Sequence, residues 1–546
     1  MLFLTILIFS LWIASALVDY GAFCYFWQLK EYRWDRFRDF LSTISGRKFL
    51  LSYSVCWRSI ICLVVFFLSI ANIKLLYLIL MLMFAIDLAR NAIKFNQRRL
   101  ERPKITLKST IIIISSLIVE VCLFVLLINS NFVFLLLACR WLILSSMVII
   151  AKPPTKLIKI IYFKKAKNKL ERQKNLLIIG ITGSYGKTTV KDFLEQILTI
   201  KYRVIKTPAN INTDIGIAKF ILKTDFSKID IFIVEMGAYK RGEIKTICKL
   251  VKPKIGILTA INEQHLSLFG SLKNIQLAKY ELLDSLPADG LAITNSDNEY
   301  CRQYLQNVVS PVKTFGENRK FNPDCFVKEI VSDNRGINFI VEIKDNFSPL
   351  TKAGGGIFLK KLKISAPIIG RHNSLNIAPT ILAGLFLNIK DEDIIKQCAK
   401  LKLPPKTLQI YNYGESLIID DSYNANPQGF LTALKILDEY QDDWNKIVIT
   451  RGMLELGKKS QYWHEKIGQA IAQVANELII ISPDSVEPLK KGVKNNKNIS
   501  VKVEFNPNKL LAIFQQFKNN KYLILIENRL PQLKIPILVS CIYVYF

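Results

Sequence analysis

Five apolar stretches crowd into the first 150 residues, at roughly 1–26, 51–70, 75–89, 110–128 and 132–150. A helix that crosses a bilayer needs about 20 apolar residues, so residues 1–152 read as a membrane region with about five transmembrane helices. Beyond them the apolar runs shorten to strand length and alternate with charged helical stretches, the pattern of an α/β protein. The expected fold class is therefore an α-helical membrane region followed by α/β domains. At 546 residues the chain has room for about two to four domains.

A formal charge of +30 raises the question of nucleic acid, but the basic residues have another place. Up to Lys174 there are 25 Lys and Arg against 8 Asp and Glu, a net of +17, mostly between or just after the apolar stretches. Loops rich in Lys and Arg stay on the cytoplasmic side. Residues 30–48 and 90–108 are such loops, whereas 71–74 holds one Lys and 129–131 none. Alternation then puts the amino terminus outside, and an odd number of spans leaves the basic linker 153–174 and everything after it inside. The remaining charge is spread over Lys-rich helical faces, and no nucleic-acid partner is expected.

No basic residue precedes the first stretch and it shows no small-residue cleavage motif, so it reads as an uncleaved anchor. Arg58 and Arg140 fall inside apolar stretches, where an Arg near a helix end can snorkel. Glu120 reads as the one carboxylate deep within a span, either functional or protonated and packed between helices. The ten cysteines include no pair at metal-ligand or redox spacing, which points to reduced, buried thiols.

The chemistry begins at a compact apolar run over 176–181, suited to a buried parallel strand. It leads into Thr182-Gly183-Ser184-Tyr185-Gly186-Lys187-Thr188-Thr189 and then an amphipathic helix. Strand, glycine loop and helix stand in the order a phosphate-binding loop requires. The glycines let backbone N–H groups close around phosphate oxygens, the helix amino terminus adds positive potential, Lys187 reaches the terminal phosphates and Thr188 holds Mg²⁺. ATP and Mg²⁺ are the expected cofactors. The general pattern wants Gly six residues before the Lys, where this chain has Ile181. Downstream, Glu235 ends an apolar run over 231–234, which places a carboxylate at the carboxyl edge of a sheet. His265 follows a run over 255–260. Carboxylate, imidazole and Thr hydroxyl around phosphates make an Mg²⁺ environment, although Mg²⁺ prefers oxygen.

These segments resemble the Mur ligases, and within them the D-alanyl-D-alanine-adding members. The Thr-Gly-x-x-Gly-Lys-Thr loop is followed in family order by Asn210-Ile211-Asn212-Thr213-Asp214-Ile215-Gly216, Val234-Glu235-Met236-Gly237-Ala238, His265-Leu266 with Phe269-Gly270-Ser271, Ala278-Lys279 and Gly370-Arg371-His372-Asn373-Ser374-Leu375-Asn376. Then come Asp420-Asp421-Ser422-Tyr423-Asn424-Ala425-Asn426-Pro427 and Met453-Leu454-Glu455-Leu456-Gly457 with His464 after it. The three histidines of the chain all lie in these motifs.

The resemblance implies a central ATP-binding domain over 175–403 and a carboxyl-terminal domain over 404–546. An apolar run over 291–294 reads as a further strand of the first, and after Pro404-Pro405 runs at 417–419, 446–450, 477–481 and 522–526, separated by helical stretches, read as strands of a second, Rossmann-like unit. The resemblance implies that His265 helps hold a second Mg²⁺ and that Lys279 is the lysine the family carbamylates. It also implies that Asn295, Asn373 and Asn376 lie by the adenine and that Asp421 contacts the ribose. On the residues alone, His265 reads as a surface or core histidine, Lys279 as a helical surface lysine and each Asn as a cap. The expected set is then Gly183, Ser184, Tyr185, Gly186, Lys187, Thr188, Thr189, Asn295, Asn373, Asn376 and Asp421 for ATP. Thr188, Glu235, His265 and Lys279 would serve the metal, and Lys187, His265 and Lys279 catalysis.

The implied reaction is ATP-dependent, ADP-forming ligation of a carboxylate to an amine through an acyl phosphate. Its partners would be a muramyl peptide or a lipid-linked relative as the carboxylate, an amino acid or D-alanyl-D-alanine as the amine, and a bacterial cytoplasmic membrane. Two departures bear on it. Lys406-Thr407-Leu408-Gln409 replaces the usual Gly-Arg-Leu-Glu, and Arg451-Gly452-Met453 replaces Gly-Asp-Met. A folylpolyglutamate-like or amino-acid-polymer ligase, and a non-catalytic ATP-binding sensor, scaffold or transporter component, stay open as alternatives. The apolar end at 535–546 reads as a final strand or an altered terminus.

Overall fold

A computed structural model describes residues 2–68, 82–87, 89–93, 102–127, 132–333, 335–345, 358–423, 425–440, 443–494 and 498–530. The expected span at 75–89, the loops at 71–74 and 129–131, much of the basic loop at 90–108, Asn424 and the apolar end at 535–546 lie wholly or mostly outside them. The chain forms two compact units, Met1–Ile160 and Ile161–Phe546.

Among the described residues, three helical stretches are long and apolar enough to cross a membrane: Phe9–Leu29, Leu107–Leu127 and Leu135–Glu171, the last ending beyond the first unit. The second expected span is interrupted, with a π-turn over Tyr53–Trp57 preceding the helix Arg58–Leu68. The expected linker is itself helical, Lys152–Glu171, because its Lys-rich sequence contains no breaker after Pro154.

The interior of this unit corrects two expectations. Arg140 does not snorkel. It is fully buried in mid-helix, and its guanidinium donates to Glu120 Oε1 at 2.8 Å, Asp19 Oδ2 at 2.8 Å, Ser15 Oγ at 2.8 Å and the Trp12 carbonyl at 3.1 Å. Glu120 is accordingly an ion-pair partner rather than a lone packed acid, and it also accepts the Trp12 indole N–H at 2.7 Å. Nor is it the only buried carboxylate. Asp19 pairs with Arg58 at 2.6 Å, and Asp87 takes Arg58 at 3.4 Å and the Ser15 hydroxyl at 3.3 Å. Five charged side chains thus interlock within an apolar bundle, where each would be costly alone.

The second unit is built on two sheets. The first contains β1 (Leu177–Thr182), β2 (Val204–Lys206), β3 (Ile231–Glu235), β4 (Ile255–Leu258), β5 (Leu291–Asn295), β6 (Val312–Gly316), β7 (Cys325–Asp333), β8 (Gly336–Asp345) and β9 (Phe358–Ala366), in the order β2-β3-β1-β4-β5-β6-β7-β8-β9. Pairing is parallel from β2 to β7 and antiparallel through β8 and β9. β1, β3 and β4 are continuous Ile- and Val-rich runs because helices cover both faces. On one face Val190, Phe193 and Ile197 of the helix Lys187–Leu198 pack with Ile377 and Ile381 of the helix Asn373–Phe386. On the other lie Ile217, Ile244, Ile275 and, from the helix Lys152–Glu171, Ala166 and Leu170.

The second sheet contains β10 (Gln409–Tyr413), β11 (Ser416–Asp421), β12 (Asn445–Thr450), β13 (Glu477–Ile480), β14 (Ser500–Val503) and β15 (Tyr522–Glu527), in the order β10-β11-β15-β12-β13-β14. All neighbours are parallel except β10 and β11. The strands expected from the sequence are present within a residue or two, whereas β2, β6 to β10 and β14 were not anticipated.

Replacing Arg140 with Met leaves Glu120 without its ion-pair partner in an apolar interior and Asp19 with Arg58 alone. Its expected cost is about 3–5 kcal/mol, part of which returns when Glu120→Gln is added. Thermal unfolding of the detergent-solubilised protein measures both variants, and an unchanged midpoint for Arg140→Met would show that the network does not hold the bundle.

Candidate active site

β1 lies between β3 and β4, so the loop after it opens at the carboxyl edge in the middle of the parallel part of the sheet. Two glycines give the loop its path. A Cβ on Gly183 would stand 1.9 Å from Thr259 Oγ1, and Gly186 has φ +79° with Asn376 Oδ1 only 2.8 Å from its Cβ position. Ser184 is tied to the neighbouring loop, its hydroxyl accepting from Asn262 N at 3.0 Å. Thr259 donates its hydroxyl to the Tyr185 carbonyl at 2.5 Å. Thr189 is buried in the first turn of the helix Lys187–Leu198.

Three lysines converge here. The Lys187 ammonium donates to the carbonyls of Gly183 at 2.7 Å and Ser184 at 3.3 Å, and Lys279 donates to the same Gly183 carbonyl at 2.9 Å. Lys191, one turn beyond Lys187, reaches Glu235 Oε2 at 2.9 Å. That oxygen also accepts the Thr188 hydroxyl at 3.0 Å, and Asn212 donates to Oε1 at 3.1 Å. Burial acts to raise the Glu235 pKa, but the charges of Lys191 and Lys187 and the bonds from Lys191 and Asn212 hold it below the usual carboxylate value. Burial lowers the pKa of Lys187, and burial together with the charge of Lys187 lowers that of Lys279 far below an ordinary lysine. Lys279 is therefore no surface lysine.

Thr188 and Glu235 are thus brought together as expected, but His265 is engaged elsewhere. Its ring Nδ1 pairs with Glu455 from the loop after β12, and Tyr239 stands edge-on to it with ring centroids 4.9 Å apart. Burial lowers the imidazole pKa, the bond and charge of Glu455 raise it, and Lys187 and Lys279 lower it again. Among the described residues no group of three or more His, Cys, Asp or Glu side chains gathers where a metal ion would sit.

The segment 262–267 fastens the first sheet to the loops of the second. Asn262 donates to Asn426 at 3.2 Å, Glu263 pairs with Lys459 and accepts the Trp463 indole N–H at 2.8 Å, and Ser267 N donates to the Glu455 carbonyl at 3.1 Å. Tyr423, from the Asp420–Pro427 segment, brings its phenol to Thr188; burial first, and then the charge of Glu235, raise its pKa. Asp421 ends β11 opposite Glu527 of β15. Burial raises the pKa of both acids, and the Asp421 charge lifts Glu527 further.

Asn376 lies over Gly186 and donates to Asn373 at 2.9 Å, while Asn373 donates to the Ile369 carbonyl at 2.7 Å. Asn295 accepts from Asp297 N at 2.8 Å and so caps the loop after β5. His464 accepts from Met453 N at 2.8 Å and bonds the Ser460 carbonyl through Nδ1 at 2.7 Å, a satisfied core histidine. Burial alone pushes His372 down to about 4.

The sequence profile of the Mur ligase middle domain matches residues 181–384, and that of the Mur ligase glutamate ligase domain matches 408–526, together more than half of the chain. The chain belongs to the Mur ligase family. It is 30% identical over 312 residues to the UDP-N-acetylmuramoyl-tripeptide–D-alanyl-D-alanine ligase of Bacillus subtilis, covering 57% of this chain and 61% of that one. The enzyme of the same name from Buchnera aphidicola is 32% identical over 300 residues, covering 55% and 61%. The chain therefore spans about 61% of the length of these curated relatives. Among solved structures, the MurF ligase of Thermotoga maritima in complex with ADP superposes with a TM-score of 0.57 at 25% identity over 68% of this chain and 80% of that one. MurF of Acinetobacter baumannii gives 0.59 at 23% identity over 68% and 77%.

Within this Mur ligase fold the residues missed in the sequence are Lys191, which looks like any helical lysine, and Glu455, whose partner is 190 residues away. Both carry a signal only in hindsight, Lys191 through its place one turn after Lys187. Glu455→Gln removes the group that raises the His265 pKa, so the imidazole should titrate at lower pH. With three histidines in the chain, ring resonances can be assigned by single substitution, and an unmoved His265 titration would show that Glu455 does not govern it.

Proposed function

We propose that the chain is an ATP-dependent, ADP-forming ligase that joins a carboxylate to an amine as an amide, in peptidoglycan or related cell-envelope synthesis. The observation that carries this reading is the Glu235 carboxylate bonded to the Thr188 hydroxyl beneath a glycine loop crowded by the side-chain nitrogens of Lys187, Lys191 and Lys279. The buried ammoniums of Lys187 and Lys191 outnumber the one Glu235 anion and favour an anionic ligand, and a triphosphate supplies it.

In this reading the central domain (175–403) binds ATP through residues 183–189, and Lys187 turns from its loop carbonyls onto the terminal phosphates. Thr188 and Glu235 are hard oxygen donors and fit Mg²⁺. When bound, Mg²⁺ would neutralise charge on the transferring phosphoryl group. The γ-phosphoryl passes to a substrate carboxylate oxygen and ADP departs. The amine then attacks the acyl carbon, expelling inorganic phosphate and leaving the amide. Lys187 screens the charge that develops during transfer, and the fastening of 262–267 to the carboxyl-terminal domain (404–546) keeps water from the acyl phosphate. Asp421 serves the ribose and Asn295, Asn373 and Asn376 the adenine side. The lowered pKa of Lys279 supplies the free amine that carbamylation needs, and the carbamate would give the site a second anion for metal, near His265.

The relatives' names point to D-alanyl-D-alanine as the amine and a muramyl tripeptide as the carboxylate. Two features of this chain modify that assignment. A Cβ at Gly452 would come within 2.6 Å of His464 Nε2 and Ser485 Cβ, so the Asp usual at this position has no room. Lys406, the stand-in for the usual Arg, directs its charge toward Asp420. The apolar helices of the first unit favour anchoring in a bacterial cytoplasmic membrane with the ligase unit on the cytoplasmic side, and with it a lipid-linked carboxylate.

Phosphate release by the detergent-solubilised protein should require ATP, one carboxylate and one amine together. The screen uses D-alanyl-D-alanine and single amino acids with soluble and lipid-linked muramyl peptides. Lys187→Ala should lower the rate by about 100-fold or more. ATP binding without turnover for any pair would favour the sensor reading instead.

A further inference from the structure

Lys191 is the one lysine of the site that addresses a side-chain anion, and it does so from a position with 1% exposure. Its ammonium and the Thr188 hydroxyl meet the same oxygen, Glu235 Oε2, at 2.9 and 3.0 Å, while Asn212 occupies Oε1 at 3.1 Å. Glu235 N is itself held by Thr207 Oγ1 at 3.1 Å, which fixes the backbone from which the carboxylate extends, and both carboxylate oxygens are engaged. A divalent cation bridging the Thr188 hydroxyl and the Glu235 oxygen beside it draws on the oxygen that Lys191 already neutralises.

We infer that Lys191 is a positioning residue that makes metal loading conditional on the nucleotide. Its ammonium keeps Glu235 charged and aimed but competes with a free divalent cation for Oε2, so the bare ion binds poorly. An ion that arrives on a triphosphate brings compensating negative charge for Lys187 and Lys191 and overcomes the competition. This prevents the site from filling with metal that lacks a phosphate to transfer. The inference rests on Thr188 and Glu235 being the metal's oxygens, as proposed above.

The test is binding of Mn²⁺ alone to the full-length, detergent-solubilised protein, read by electron paramagnetic resonance without nucleotide or amine. Lys191→Met should tighten Mn²⁺ binding by about tenfold or more, the scale of losing one buried competing charge. Lys191→Gln serves as a second neutral variant should the Met variant misfold, and Lys191→Arg, which keeps the cation, should bind Mn²⁺ as weakly as the wild type. Adding Glu235→Gln to Lys191→Met should abolish the gain, a result that a general loosening of the fold does not give. Unchanged or weaker Mn²⁺ binding in a folded neutral variant overturns the inference, as does a gain that survives Glu235→Gln. Turnover of the wild type is scored separately, so an active ligase whose Lys191 variants bind Mn²⁺ unchanged refutes this role while leaving the proposed reaction standing.

Discussion

A carboxylate buried at the end of a parallel strand must be met by cations or donors, and the way Glu235 is met organises the ligase unit. Its three partners come from two places: Thr188 and Lys191 from the helix after the phosphate loop, and Asn212 from the segment after β2. Each is brought to the same sheet edge by a parallel crossover, which is why the fold uses β1 between β3 and β4. Lys187 then lies close enough for its charge to act on Lys279, and the ordinary basicity of both is suppressed by burial. The site is polarised before any ligand arrives, and electrostatic preorganisation of this kind gives phosphoryl transfer its largest assistance.

The same physical rule governs the apolar unit. Arg140 and Arg58 are tolerable there only because Asp19, Glu120 and Asp87 meet them. An inert anchor would need none of these groups, since leucines alone would hold it in a bilayer. Interlocking charges contributed by Asp19, Arg58, Asp87, Glu120 and Arg140 instead specify one way of packing the helices against one another.

What could be read in the sequence follows the range of each interaction. Continuous apolar runs announced β1, β3, β4, β5 and most strands of the second sheet, because strands buried on both faces leave a local signature. The glycine loop was equally legible, since Gly183 and Gly186 answer to steric demands of their immediate neighbours. The strands β7 to β9 were not, because in an antiparallel ribbon with one solvated face the apolar residues alternate with polar ones and no continuous run forms. His265 was found, but its Glu455 partner was not, and Arg140 with Asp19, 121 residues apart, was mistaken for a residue that reaches toward water. Pairings of that separation are made by the fold and leave no trace in spacing.

The fate of the substrate carboxylate oxygens bears most directly on the claim that this unit makes amides through an acyl phosphate. With both oxygens of the carboxylate labelled with ¹⁸O, turnover in the presence of the amine should release inorganic phosphate carrying one label, because the oxygen that accepts the γ-phosphoryl group leaves with it. Unlabelled phosphate formed in step with ADP would mean that water, rather than the carboxylate, takes the phosphoryl group, and would contradict the assignment of a ligase.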